Sequence, residues 1–107
     1  MRDSQLESLF QADLIKELKY LFPGAIILKN DSGYLQGIPD LLVLYQDRWA
    51  ALEVKASEKS AKRPNQDYYV ETLDKMSFAA FIYPENKEDI LYALQQTLRP
   101  RIASRLS

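Results

Sequence analysis

Asp40, Glu53 and Lys55 are the residues whose types and spacing could support chemistry in this sequence. Asp40 lies in an apolar segment, 37–45, and the other two lie at the end of a second apolar segment, 48–55. Carboxylates bind divalent cations, and a lysine beside them can orient a water molecule or stabilise negative charge in a transition state. These residue types therefore indicate metal-assisted hydrolysis, provided that the fold brings them together.

The two apolar segments are joined by Gln46-Asp47, and we interpret them as a β-hairpin, although this pair is not a favoured turn sequence. A hairpin that is symmetric about the turn places Asp40 opposite Glu53, with Cβ atoms about 4.5 to 5.5 Å apart. Like charges at that distance repel, and on an apolar sheet a divalent cation is the natural group to neutralise them. Lys55 is expected on the same face as Glu53, about 6.6 Å along the strand.

These residues also have a simpler interpretation, in which none of them carries chemistry. Glu53 and Lys55 could form a surface ion pair, and Asp40 could be an acid that begins a strand after Pro39. A loop of odd length would also move Asp40 out of register with Glu53. The apolar neighbours and the facing register together favour the metal site.

The composition restricts the chemistry and the type of metal. The chain has 107 residues, 47% of them hydrophobic and 27% charged, with no Cys and no His. We expect a single domain over 1–107, with its core over about 4–98 and a basic tail over 99–107. Without Cys or His there is no disulfide, no usual zinc site and no Ser-His relay, so a metal must bind to oxygen atoms. Mg²⁺ or Mn²⁺ is the expected cofactor, with no other small molecule.

The net charge of -1 and the isoelectric point near 5.4 are not typical of a nucleic-acid-binding protein. Basic residues are nevertheless clustered in two segments, Lys55, Lys59, Lys62 and Arg63 in the first and Arg99, Arg101 and Arg105 in the second. Each cluster could instead be a solvated loop or tail. No apolar run is long enough to cross a membrane, and no signal peptide is present, so we expect a cytoplasmic protein without a membrane partner.

Hydrophobic spacing predicts the elements that position these residues. The predicted helices cover about 4–22, 65–75 and 86–98, and the predicted strands cover 25–29, 37–45, 48–55 and 78–83. Both faces of the hairpin strands are apolar, so helices are expected on both sides of the sheet. The crossover helix makes the fourth strand parallel to a hairpin strand. The sequence thus predicts an α/β fold in the order α-β-β-β-α-β-α, with a mixed sheet flanked by helices.

Pro39-Asp40, twelve further residues and Glu53-Val54-Lys55 resemble the signature of the PD-(D/E)XK nuclease superfamily. With GIPD before the first apolar run and PNQ at the start of the next helix, the chain is most similar to the virus-type replication-repair nuclease (VRR-NUC) family, over about 6–83. The resemblance implies a restriction-endonuclease-like αβββαβ core with an extra C-terminal helix. It also implies that Asp40 and Glu53 bind the metal by their side chains and Val54 by its carbonyl, while Lys55 assists the attacking water.

Two further residues match the family. Glu7, on the first helix, matches an additional acidic residue that completes the metal site, and Glu17 is a less favoured candidate for the same role. Gln66 matches the glutamine at the start of the crossover helix. Simpler interpretations exist here as well, because Ser4 and Glu7 have the spacing of a capping box and Gln66 could be a solvated residue of a first helical turn.

The resemblance also implies that Lys29, Ser32 and Tyr69 lie close to the DNA, the last as part of an element that resembles QxxY. The first basic cluster adds Lys59, Lys62 and Arg63 as expected DNA contacts. The simpler interpretation of Lys29 is an exposed strand end, and that of Tyr68 and Tyr69 is a partly buried core. The basic side chains, with the C-terminal arginines, would bind phosphates without reading bases.

The function implied by the resemblance is hydrolysis of DNA phosphodiester bonds with Mg²⁺ or Mn²⁺, in replication, recombination or repair. Stand-alone members of the family are typically homodimers that act on four-way junctions, so we expect a homodimeric Holliday-junction resolvase. A phage-encoded protein of this kind would act in the bacterial host cytoplasm. The alternatives are a flap or nicking endonuclease of the same fold, and a non-catalytic nucleic-acid-binding module, which the intact acids and lysine disfavour.

Overall fold

The structure is a computed structural model that describes residues 2–99. Its elements are α1 (Asp3–Leu21), β1 (Ile26–Lys29), β2 (Leu41–Tyr45), β3 (Arg48–Val54), α2 (Gln66–Met76), β4 (Ala79–Ile82) and α3 (Lys87–Thr97). The α/β class and the predicted order of elements are confirmed. Of the predicted basic tail, Arg99 lies within the described residues, while Arg101 and Arg105 lie outside them. No helix within residues 2–99 is long and apolar enough to cross a membrane.

The four strands form one mixed sheet in the order β1-β2-β3-β4. β1 and β2 are antiparallel, as are β2 and β3, whereas β4 runs parallel to β3. The helix α2 lies between β3 and β4 in the chain, as a connection between parallel neighbours requires. The predicted parallel pairing of the fourth strand with a hairpin strand is therefore confirmed.

The β2–β3 hairpin has the predicted register. Tyr45 pairs with Arg48, and each further pair is symmetric about Gln46-Asp47. Gln46 has a φ of 56°, which is unusual for a residue other than glycine and allows the chain to reverse in two residues. The tight turn fixes the register even though its sequence is not a favoured one.

The start of β2 differs from the prediction. The strand begins at Leu41, four residues later than expected from the apolar pattern. Pro39 has no N–H to donate to a neighbouring strand, and Gly37 has a φ of 91°, outside the extended region. Residues 37–40 therefore form the end of a loop, and Asp40 lies one residue before the strand.

Helices cover both faces of the sheet, as predicted. On one face α1 and α3 pack against the sheet in a cluster of buried side chains that includes Leu14, Leu18, Leu91, Leu94, Leu41, Val43, Leu52, Val54 and Ile82. On the other face α2 packs in a smaller cluster that includes Val70, Leu73, Ala51 and Ala79. Burial of each large aliphatic side chain stabilises the fold by about 2 kcal/mol, so the first cluster contributes the larger share of stability. Both clusters hold β3 in place from opposite sides.

The loop before β2 is packed against the start of α2. A Cβ atom added at Gly37 would lie 2.7 Å from the Asn65 Cβ and 2.8 Å from the Pro64 carbonyl oxygen. Only a residue without a side chain allows this approach, and only glycine readily adopts the left-handed φ found here. The contact therefore fixes the distance between Asp40, three residues further on, and the first turn of α2.

We expect Gly37→Ala to destabilise the protein by about 3 kcal/mol, because it combines a left-handed φ with a clash against backbone atoms. Gly24→Ala is the matched control, since Gly24 has a φ of 87° but no atom within 4 Å of an added Cβ. Its cost is expected to be about 1 kcal/mol. Equal costs of the two variants in urea unfolding would show that the packing of Gly37 on α2 does not matter.

Candidate functional site

Asp40 and Glu53 lie opposite each other at the end of the hairpin, since their pairing continues the register of Leu41 with Leu52 by one residue. Asp40 Oδ2 accepts a hydrogen bond of 2.9 Å from the Val54 N–H. Glu53 is 3% exposed, and its Oε1 atom is buried with no hydrogen-bond partner. Two acids are thus held together on a largely buried surface, and one of their oxygen atoms lacks a donor.

Gln66 holds the other oxygen of Glu53. Its Nε2 donates to Glu53 Oε2 at 3.0 Å, and its Oε1 accepts a 2.8 Å hydrogen bond from the Arg63 N–H. Gln66 is 7% exposed, so the interpretation of this residue as a solvated one is wrong. Because Gln66 is the first residue of α2, the helix start sets the orientation of Glu53.

The pKa of Glu53 is raised to about 8, first by burial and then by the charge of Asp40, whereas Lys55 opposes the shift. The pKa of Glu7 is also raised, first by burial and then by the charge of Asp40. Two acids in contact cannot both carry a charge cheaply. Without a cation, Glu53 therefore retains a proton at neutral pH.

Lys55 extends from the end of β3 into the same site. It is 6% exposed, and its Nζ donates to the Ala61 carbonyl at 3.1 Å and lies 3.8 Å from Glu53 Oε2. The simpler interpretation of a surface ion pair is therefore wrong, because both partners are buried. The contact with Ala61 also anchors the loop that follows β3 over the site.

Glu7 reaches the site from α1 and does not cap its helix. The helix begins at Asp3, and the Arg2 N–H donates to Gln5 Oε1 at 3.1 Å, so the predicted capping box of Ser4 and Glu7 is absent. The other candidate, Glu17, accepts a 3.0 Å hydrogen bond from Lys87 of α3 and does not line the site. Of the two acids considered on this helix, the structure brings Glu7 to the site.

A cavity of about 340 Å³ contains these groups. The residues predicted from the sequence that line it are Glu7, Ser32, Asp40, Glu53, Lys55, Arg63 and Gln66. A neighbouring cavity of about 290 Å³ shares Glu7, Lys55 and Arg63 with the first. The site thus opens into a groove that continues past the start of α1.

The structure does not bring the remaining predicted DNA contacts to the cavity. Lys29 and Lys59 are exposed at other positions. Lys62 donates to Asp67 at 3.1 Å and lies 4.3 Å from the centre of the Phe81 ring. Tyr69 is partly buried and packs edge-on against Tyr68, with ring centres 5.1 Å apart. Their contacts with DNA remain predictions.

Four residues of the loop before β2 line the cavity and were not predicted to be site residues, although two of them belong to the GIPD segment: Gly33, Gln36, Gly37 and Ile38. None of them carries a charge or a nucleophilic group, so residue type alone did not identify them. The available signal was the pair of glycines that lie seven and three residues before Asp40, because close packing around a site often requires residues without side chains.

The donor set fits a hard divalent cation. Oxygen ligands suit Mg²⁺ and Mn²⁺, and the unpartnered Glu53 Oε1 beside Asp40 is the atom that a cation would satisfy. The Val54 carbonyl is adjacent in the chain. Within residues 2–99 no three His, Cys, Asp or Glu side chains converge into a ready metal-binding group, so the predicted participation of Glu7 remains a prediction.

Comparisons of the chain with protein-family models, with curated proteins and with solved structures found no significant match.

In EDTA we expect the free energy of unfolding to fall as the pH rises from about 4.5 to 8. Below pH 4.5 Glu53 is protonated in both the folded and the unfolded chain. Between the ordinary value of 4.5 and the folded pKa of about 8, only the unfolded chain releases the proton. One pKa unit corresponds to about 1.4 kcal/mol, so the loss across this range should exceed 1 kcal/mol.

Glu53→Gln should remove most of this dependence, since an amide does not titrate and can donate to Asp40 while it accepts from Gln66. Glu71→Gln, which changes an exposed acid on α2, is the control and should retain the dependence. Urea unfolding at several pH values measures both. A Glu53→Gln variant with the same pH dependence as the original protein would contradict this assignment.

Proposed function

We propose that this protein is an endodeoxyribonuclease that depends on Mg²⁺ or Mn²⁺, with the restriction-endonuclease-like core of the PD-(D/E)XK superfamily and most similar to the VRR-NUC family. One observation carries the proposal. Asp40 and Glu53 are held face to face on a largely buried surface, Glu53 Oε1 has no donor, and the amine of Lys55 lies beside them. A purely structural hairpin gains nothing from this arrangement, because facing like charges destabilise a sheet.

The acids would hold the cation between the hairpin strands. Asp40 and Glu53 supply side-chain oxygens, the Val54 carbonyl is the adjacent main-chain ligand, and Glu7 supplies a further carboxylate from α1. Mg²⁺ or Mn²⁺ bound there would lower the pKa of a water molecule and stabilise charge on the phosphate. Gln66 keeps Glu53 in place through its Nε2 donor and leaves Glu53 Oε1 free to bind.

Lys55 would act on the reacting groups themselves. Its Nζ is fixed by the Ala61 carbonyl and lies 3.8 Å from Glu53 Oε2, so it is preorganised beside the metal ligands. From there its N–H groups can donate to the attacking water or to a phosphate oxygen as negative charge develops. Preorganised donors of this kind require no rearrangement when the bond breaks.

Arg63 and Ser32 line the cavity, and we propose that they bind the phosphate backbone there. Lys29, Lys59, Lys62 and Tyr69, with the C-terminal arginines, are proposed to contact DNA further from the cleaved bond. For Lys62 this would require exchange of its exposed pair with Asp67, a contact that contributes little to stability. Binding through phosphates would be sensitive to salt and independent of base sequence.

We propose branched DNA as the substrate and a homodimer as the active form, with a four-way junction cut by two copies of the site. Two copies of the domain would reach further over a branched substrate than one copy and would supply one site for each of two strands. Flap or nicking endonuclease activity would use the same chemistry. A non-catalytic nucleic-acid-binding module would not require a buried lysine beside two facing acids.

Asp40→Asn and Lys55→Ala are each expected to lower cleavage of a labelled four-way junction at least about 10²-fold, because one removes a metal ligand and the other a preorganised donor. The measurement compares the junction with a flap and a linear duplex, in Mg²⁺, Mn²⁺ or EDTA. Cleavage should require the metal and favour the branched substrates.

Lys59→Ala is the matched control for Lys55→Ala, since it removes an exposed lysine of the same loop. It should retain cleavage, with a modest loss of affinity for DNA that is largest at low salt. DNA binding without any cleavage by the original protein would indicate the non-catalytic module. Equal cleavage by the Asp40→Asn variant would show that the site has been assigned wrongly.

A further inference from the structure

Asp40 lies one residue before β2, so the strand ladder by itself does not hold it. Asn30, the residue that follows β1, makes two hydrogen bonds to this segment. Its main-chain N–H donates to the Asp40 carbonyl at 2.8 Å, and its side-chain Nδ2 donates to the Pro39 carbonyl, also at 2.8 Å. One residue therefore fixes two successive carbonyl groups, one before and one after the Asp40 Cα.

The side-chain contact changes the partner of a neighbouring amide. The hairpin register, continued past Leu41, places Val54 opposite Pro39, so a regular ladder would direct the Val54 N–H to the Pro39 carbonyl. Asn30 Nδ2 occupies that carbonyl, and the Val54 N–H donates instead to Asp40 Oδ2 at 2.9 Å. The end of the ladder is thus rearranged so that a main-chain donor binds the carboxylate.

We propose that Asn30 is a positioning residue for Asp40. Its side-chain amide donates to the Pro39 carbonyl. Because this acceptor is already bound, the Val54 N–H donates to Asp40 Oδ2 and holds the carboxylate opposite Glu53. Asn30 itself does not line the cavity that contains Asp40. Its role in metal binding rests on the proposed function, whereas its effect on the geometry of Asp40 does not.

Two substitutions at this position separate positioning from electrostatics. Asn30→Ala removes the side-chain donor. Asn30→Asp retains the shape, removes the Nδ2 donor and adds a negative charge close to the site. If charge alone mattered, Asn30→Asp would bind a cation more tightly than the original protein. If positioning matters, both variants should bind it less tightly.

Asn86 provides the matched control. Its Nδ2 donates to the Phe81 carbonyl at 3.0 Å, and its Oδ1 accepts from the Tyr83 N–H, but it lies after β4 and does not line the cavity. Asn86→Ala therefore removes a side-chain-to-main-chain contact of the same type. A loss of stability without a change at the site is the expected effect of that variant.

The first measurement is the NMR scalar coupling across the hydrogen bond of the Val54 N–H in the metal-free protein. In the original protein and in Asn86→Ala we expect a coupling to the side-chain carboxyl carbon of Asp40. In Asn30→Ala and Asn30→Asp this coupling should be lost, because the Val54 N–H can donate to the freed Pro39 carbonyl. The Ala51 amide, which donates to the Phe78 carbonyl, reports general opening of the sheet in the same spectra. An unchanged coupling of Val54 to Asp40 in both Asn30 variants would overturn the proposal.

The second measurement is a calorimetric titration of the same proteins with Mn²⁺. We expect affinity to be about 10-fold weaker in both Asn30 variants, which is typical for the loss of a group that orients a metal ligand, and unchanged in Asn86→Ala. Tighter binding by Asn30→Asp would overturn the positioning role. If the original protein binds no Mn²⁺, the proposed function fails, while the coupling of Val54 to Asp40 still decides whether Asn30 positions Asp40.

Discussion

The pairing of Asp40 with Glu53 is the constraint on which the rest of the site depends. The tight turn sets the hairpin register, and that register leaves two acids opposite each other where the strands end. Like charges in this position repel and are costly to bury. The surrounding groups are arranged around this pair: a main-chain N–H binds Asp40, an amide from α2 binds Glu53, and a lysine lies beside Glu53.

The elements that supply these groups come from distant parts of the chain. Gln66 begins α2, Glu7 lies on α1, and the loop that ends at Asp40 is packed against the start of α2 through Gly37. The two hydrophobic clusters hold β3 from both sides and so provide the stability that offsets the buried acids. In the metal-free protein a proton on Glu53 relieves the repulsion. A divalent cation would relieve it with both acids charged.

The fold was largely predictable from the sequence, because the periodicity of apolar residues is long and regular in the helices and continuous in the hairpin. The facing of Asp40 and Glu53 also followed from the symmetry of the turn. The start of β2 was predicted wrongly. Gly37 and Pro39 lie in an apolar run that predicts a strand, but the positive φ of Gly37 and the missing N–H of Pro39 prevent one there.

The supporting contacts could not be predicted in the same way. The hydrogen bonds of Asn30 depend on how far β1 extends before the chain turns, and no periodicity encodes that length. Whether Glu7 caps its helix or reaches the site depended on where α1 begins, which patterns locate only within a few residues. The burial of Gln66 required the three-dimensional approach of α2 to Glu53.

Crystals of the protein grown or soaked with Mn²⁺ give the most direct test of the central claim, through the anomalous signal of the metal. We predict a Mn²⁺ ion between the facing carboxylates, about 2.1 Å from an oxygen of Asp40 and from Glu53 Oε1. The Glu53→Gln variant should lose this peak. A well-ordered site without bound metal at saturating Mn²⁺, or a metal bound only elsewhere, would contradict the proposal that these two acids form a metal centre.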